Sequence, residues 1–188
     1  MKKLTQDERL EYWKYLCATL SFDFAGEVAK YLISNPDHPL LYQLITSLYV
    51  LYGRPFKQQK KIRITEEIVP EEYFNEHNLL VSLRDKTFAH TDIDGLPEQE
   101  IKQLSKILMK VRNGTARYEM ASFLPHGSNF ERIEDLCKIL HGICFEKSKE
   151  ILILAINGDK LPDLTYEIDI SEGEKYLIKL VEYSNVSI

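Results

Sequence analysis

Leu40-Leu41-Tyr42-Gln43-Leu44-Ile45-Thr46-Ser47-Leu48-Tyr49-Val50-Leu51-Tyr52 is the stretch whose period decides the fold class. Leu40, Leu41, Leu44, Ile45, Leu48, Tyr49 and Tyr52 recur at the spacing that lines up side chains on one face of an α-helix. Asn35-Pro36 reads as its start, with asparagine at the cap and proline in the first turn. Gly53, with Pro55 beyond it, reads as its end. A helix with one apolar face buries that face against other elements, and the same period returns on both sides.

Upstream, Thr5-Gln6-Asp7-Glu8 reads as a capping box. Leu10, Trp13, Leu16, Cys17, Leu20 and Phe24 then follow at helical spacing in a first helix that bends near Gly26 and runs to about Ile33. Downstream, Pro70-Glu71-Glu72 opens a third helix that reaches about His90, where Thr91-Asp92-Ile93-Asp94-Gly95 makes a turn. Pro97 opens a fourth helix that ends near Arg112 at Asn113-Gly114. Residues 115–127 read as irregular or as a short strand around Tyr118 to Phe123. Ser128-Asn129-Phe130-Glu131 reads as a second capping box, opening a long helix through Ile133, Leu136, Cys137, Leu140, Cys144, Ile151 and Ala155. The tail changes period: Thr165 to Ile170 alternates, Ser171-Glu172-Gly173-Glu174 turns, and Lys175 to Val181 continues as strand. The expected fold is mainly α, an antiparallel helical bundle over residues 1–157 with a C-terminal β-hairpin appendage over 158–188.

Composition narrows the class. At 188 residues with 44% hydrophobic and 28% charged side chains, the chain can bury a core and stay in solution. A net charge of -5 excludes a uniformly basic nucleic-acid binder but not a local basic groove. The N-terminus has no apolar run after its lysines, and no segment approaches the ~20 apolar residues of a membrane span. Cys17, Cys137 and Cys144 cannot all pair and form no Cys-x-x-Cys, which fits buried thiols in a reducing, cytoplasmic setting.

Chemistry concentrates in Arg84-Asp85-Lys86-Thr87-Phe88-Ala89-His90, late in the third helix. His77 and Arg84 are seven apart and therefore nearly collinear, in the middle of an apolar arc with Tyr73, Leu80 and Val81. An arginine there needs a partner, an interface or a cleft. Asp85 lies about 100° round from Arg84 and His90 about 120° on the other side, from ideal helix geometry. The two functional groups converge only if the helix loosens, the side chains bend, or a second subunit completes the site. Without such convergence, Arg84 pairs with Asp85 or another carboxylate inside the fold, and His90 caps a helix C-terminus. His77 reads as a satisfied interior histidine. Arg54, Lys57, Lys60, Lys61 and Arg63 form a basic loop, either a solvated connection or a phosphate-contacting one.

Other chemistries find little support. The glycines are scattered, so no phosphate loop is present. His38, His77, His126 and His141 lack metal-ligand spacing, and Cys137, His141 and Cys144 read as core packing on one helix. No metal or cofactor is expected. The tyrosines at 12, 15, 49 and 52 read as packing residues, with base stacking as the alternative.

The Arg84-to-His90 stretch resembles the Arg-(four to six residues)-His motif of the HEPN superfamily, in which a polar residue often follows the arginine. The resemblance covers roughly residues 5–157. It implies a homodimeric helical bundle with the two motifs facing each other. Many members are metal-independent endoribonucleases of toxin–antitoxin or anti-phage systems, and others are non-catalytic RNA-, nucleotide- or protein-binding modules. It further implies RNA as a partner and an antitoxin or defence-system protein as another. Carried over, His90 moves protons, Arg84 holds the scissile phosphate, Asp85 orients them, and Lys86 adds a phosphate contact. The sequence departs from one branch of the family. Where some members carry a modifiable tyrosine two positions after the histidine, this chain has Asp92, which argues against control by a nucleotidyltransferase antitoxin.

Overall fold

The structure is a computed structural model, and it describes residues 4–58, 60–85, 107–112, 115–120, 129–155, 166–168 and 178–180. These residues are mainly α. Four helices carry most of them: α1 (Gln6–Ser34), α2 (Leu41–Lys57), α3 (Phe74–Leu83) and α4 (Phe130–Ala155). Short 3₁₀ turns occupy Lys60–Ile62, Glu66–Ile68 and Glu71–Tyr73. Strands β1 (Ile107–Arg112) and β2 (Thr115–Met120) pair antiparallel, as do β3 (Tyr166–Ile168) and β4 (Ile178–Leu180).

The helix starts follow from local chemistry. At α1 the expected capping box forms reciprocally: Thr5 N–H donates to Glu8 Oε2 at 2.7 Å, and Glu8 N–H to Thr5 Oγ1 at 3.2 Å. At α4 the cap is Asn129, whose Oδ1 accepts from Arg132 N–H at 3.1 Å. Glu71–Tyr73, preceded by Pro70, leads directly into α3.

The second helix differs from expectation at both ends. It begins at Leu41, not at Asn35-Pro36. Pro39 explains the delay: it disfavours helical backbone at His38 and brings no N–H of its own. Asn35 instead closes α1, its side-chain amide donating to Tyr31 O at 2.9 Å. At the other end α2 passes through Gly53 and Pro55 to Lys57. The Pro55 carbonyl, near the new end, accepts Ile64 N–H at 3.1 Å.

The chain divides into two compact units. The first comprises Phe22–Gly53 and Val69–Lys138. Its core is helical and bundle-like: Phe22, Ala25, Ala29 and Leu32 from α1, Ile45, Leu48, Tyr49 and Tyr52 from α2, Leu80 and Leu83 from α3, and Ile133, Leu136 and Cys137 from α4 are all buried. Full burial of one leucine or phenylalanine stabilises by about 1.5–3 kcal/mol. On α1 the helical period is as expected but its phase is not. Leu20 and Phe24 are exposed, and alanines carry the inner face between Phe22 and Leu32. Small residues let helices approach closely. A Cβ built on Gly26 would lie 3.3 Å from Cys137 Cβ, so this glycine sits inside an unbroken α1 as a packing contact.

The β1–β2 ladder also belongs to this unit and corrects the fourth-helix expectation, since residues 107–112 are strand. Met109 and Val111 are exposed there and not part of a core stripe. Asn113-Gly114, read as a helix stop, lies between the strands, and this dipeptide between alternating apolar residues is the strongest short-range hairpin signal. The longer of the two ladders is therefore mid-chain and not C-terminal.

The second unit comprises Met1–Ser21, Arg54–Ile68 and Ile139–Ile188. Among its described residues, Leu4, Tyr12, Ala18, Pro55, Phe56, Ile64, Leu140 and Cys144 are buried. Lys147 Nζ donates to Tyr15 Oη at 3.4 Å, and Arg63 Nε to Gln58 O at 3.1 Å. The three-pair β3–β4 ladder lies here, with Glu167 opposite Lys179 in register. The expected boundary at 157/158 and the turn at 171–174 fall outside the described residues. Among the described residues no helix is long and apolar enough to cross a membrane.

Candidate functional site

The inner line of α3 organises the first unit's polar groups. His77 is 2% exposed, and its Nδ1 is hydrogen-bonded to Tyr52 Oη at 2.9 Å, with the rings edge-on at 5.9 Å. Tyr52 also tilts against Phe22 at 5.7 Å. His77 is thus an interior histidine held by the second helix.

Seven residues on, Arg84 caps α3 in helical conformation (φ -55°, ψ -49°), its N–H shared between Leu80 O and Val81 O. Its side chain crosses α2 at Gly53. A Cβ built on Gly53 would lie 3.1 Å from Arg84 Cγ, 3.2 Å from Cδ and 3.3 Å from Cβ. The arginine stem therefore lies against the bare backbone of α2. Glycine in a helix interior costs roughly 0.8–1 kcal/mol relative to alanine, and the close approach of Arg84 is the packing reason for it here.

The guanidinium emerges from this seat onto Asp85, Nη1 donating to Oδ1 at 2.7 Å. The pair is partly sheltered, with side chains 23% and 33% exposed, so solvent reaches it. Arg84 Nε is buried and has no hydrogen-bond acceptor among the described residues. A guanidinium offers five N–H donors in a planar fork, and a phosphate clamp uses two of them. Of the expected site residues the structure brings together Arg84 and Asp85. Lys86 and His90 lie outside the described residues.

The basic residues Arg54, Lys57, Lys60, Lys61 and Arg63 all belong to the second unit and are exposed. Their stretch is pinned at Ile64, which is 4% exposed and bonded to Pro55 O, and at Arg63. Lys61 lines a cavity of about 240 Å³ with Asp7, Leu10, Glu11 and Lys14. Its two lysines face two carboxylates, so the cavity is close to electroneutral.

Two of the remaining candidates are enclosed by the fold. Cys137 and Cys144 are buried free thiols, each pushed up to about 12, chiefly by burial. His141 stacks on Phe145 at 6.0 Å. Among the described residues no group of three or more His, Cys, Asp or Glu side chains is placed to hold a metal ion.

Two features escaped the sequence reading. One is Gly53 as a seat for Arg84. A signal existed, because Phe56 continues the Tyr49–Tyr52 stripe past the glycine. The other is a clamp between α3 and α4. Arg132 Nε donates to Glu76 Oε1, and Nη2 donates to Glu76 Oε2 at 3.3 Å and to Glu72 O at 2.5 Å, with the guanidinium 4.8 Å over the Tyr73 ring. Fifty-six positions separate Arg132 and Glu76, and nothing local in the sequence announces the pair. Compared with protein-family models, curated proteins and solved structures, the chain shows no significant match.

Proposed function

We propose that the chain is a HEPN-like, metal-independent endoribonuclease, acting as a homodimer in toxin or anti-phage function. One observation carries the reading: Arg84 is seated on Gly53, partly sheltered and paired at 2.7 Å with the acid that follows it. An arginine that neutralises a phosphate must be held in place yet remain reachable, and a sheltered site strengthens its field. In the proposed reaction the ribose 2′-oxygen attacks the adjacent phosphorus and the 5′-oxygen leaves. His90 takes the 2′-hydroxyl proton as base while water protonates the leaving oxygen, or, starting protonated, gives its proton to the leaving oxygen while water takes the 2′-hydroxyl proton. Both tasks suit an imidazole. Arg84 stabilises the additional charge on the phosphorane oxygens, and Asp85 orients Arg84. The products are a 2′,3′-cyclic phosphate and a 5′-hydroxyl. Lys86 and the basic residues 54–63 hold the RNA backbone.

The same ion pair supports a second reading, a non-catalytic HEPN-like RNA-, nucleotide- or protein-binding module, because Asp85 offsets part of the charge of Arg84. Purified protein incubated with single-stranded and transfer RNA in EDTA decides between them. Wild type is expected to cleave, leaving cyclic phosphate ends. Arg84→Ala is expected to lose roughly 10²–10³-fold in rate, and His90→Ala roughly 10²–10⁴-fold, both with unchanged circular dichroism. Cleavage equal in wild type and His90→Ala, or none by a folded dimeric wild type, would discard the nuclease reading.

A further inference from the structure

Gly53 lies on α2, far in sequence from the Arg84 motif, yet it is the surface on which the arginine stem rests. Three successive carbons of Arg84 lie within 3.1–3.3 Å of the position a Cβ would occupy there. That distance is shorter than ordinary van der Waals contact, so a side chain at 53 asks the arginine stem to give by a few tenths of an ångström. The opposite end of the arginine is tied to Asp85 at 2.7 Å, and its Nε is buried. Stem and head are thus fixed at separate points, and displacing one turns the other. Alanine is the better helix former at a buried interior position, so glycine here works against α2 itself.

We infer that Gly53 is a positioning residue for Arg84: its missing side chain sets where the guanidinium points, and a methyl group there misdirects it without removing it. The functional half of this inference rests on the endoribonuclease reading. The structural half does not. A full ~1 Å of misplacement at a group that must meet a transition state costs on the order of a hundredfold in rate, which bounds the effect of this smaller shift from above.

The test uses wild type, Gly53→Ala, Arg84→Ala and the double variant, comparing urea midpoints with kcat and KM for RNA cleavage in EDTA. Gly53→Ala is expected to lower the midpoint in the wild-type background and raise it in the Arg84→Ala background, where the better helix former meets no obstacle. It is expected to lower kcat by up to about a hundredfold with KM nearly unchanged. A double variant that folds where Gly53→Ala alone does not is the same sign reversal in extreme form. A midpoint raised in both backgrounds overturns the inference, because the arginine then yields freely. Sign reversal with kcat unchanged also overturns it, reducing Gly53 to a packing residue. A wild type that cleaves nothing removes the nuclease reading and any role of Gly53 in cleavage, and the midpoints then report on the seat alone.

Discussion

At the scale of single residues, burial decides what each reactive group can do. Cys137 and Cys144 sit on the inner face of α4, 1% and 0% exposed, and burial pushes each thiol up to about 12. The thiolate is the nucleophile, and at pH 8 a thiol titrating near 12 holds on the order of one part in ten thousand in that form. Cys17 is half-buried, and its thiol is also raised by burial, against a smaller lowering from Arg54. Iodoacetamide at pH 8 is therefore expected to leave Cys137 and Cys144 unmodified in native protein and to label Cys17 more slowly than a free thiol. All three are expected to label in urea. Mass spectrometry after timed quenching reads this directly. Rapid native labelling of Cys137 would contradict its place in the core.

At the scale of elements, α3 and α4 are joined by the Arg132–Glu76 clamp. The Glu76 carboxyl is held below its ordinary 4.5, first by the hydrogen bond from Arg132. A carboxyl whose folded-state pKa is depressed stabilises fully above its unfolded-state value, and this contribution is lost as pH falls through the folded-state value. Glu76→Gln is therefore expected to lower the urea midpoint by a constant amount from pH 8 down to about pH 5, with the gap closing below 4.5. A gap as wide at pH 3 as at pH 7 would show that the charge on Glu76 is not what the clamp uses. This clamp marks where sequence reading ends. The four helices were legible because each carries its own period, and α1 and α4 also carry their own caps, at Thr5–Glu8 and at Asn129. The inner face of α1 was not, because Ala25 and Ala29 carry little hydrophobic signal beside the exposed Leu20 and Phe24, and only the neighbouring helix says which face is inside. Strand β1 was missed because its apolar alternation is short and Asn113-Gly114 serves equally as helix stop and hairpin turn. Within the candidate site, the position of Arg84 on the inner line of α3 followed from its spacing to His77. Its seat did not, since a glycine two residues before a proline ordinarily ends a helix.

At the scale of the whole molecule, charge is distributed unevenly. Five of the 24 basic residues fall in the ten positions from Arg54 to Arg63, which hold no acid, leaving 19 against 29 acidic residues elsewhere. If the chain binds RNA as proposed, the excess of acids elsewhere in the sequence opposes the RNA backbone and this basic stretch favours it. Backbone contacts of this kind release counterions, and for single strands log K falls against log salt with a slope of about -0.7 per phosphate neutralised. Replacing exposed Lys57, Lys60 and Lys61 by glutamine is therefore expected to weaken binding of single-stranded RNA, measured in the His90→Ala background to limit any cleavage. The slope of the salt dependence should become shallower by about 2, equally for RNAs of different sequence, because phosphate contacts carry no base information. Fluorescence anisotropy over a salt series measures both quantities. An unchanged slope would assign residues 54–63 to a solvated connection.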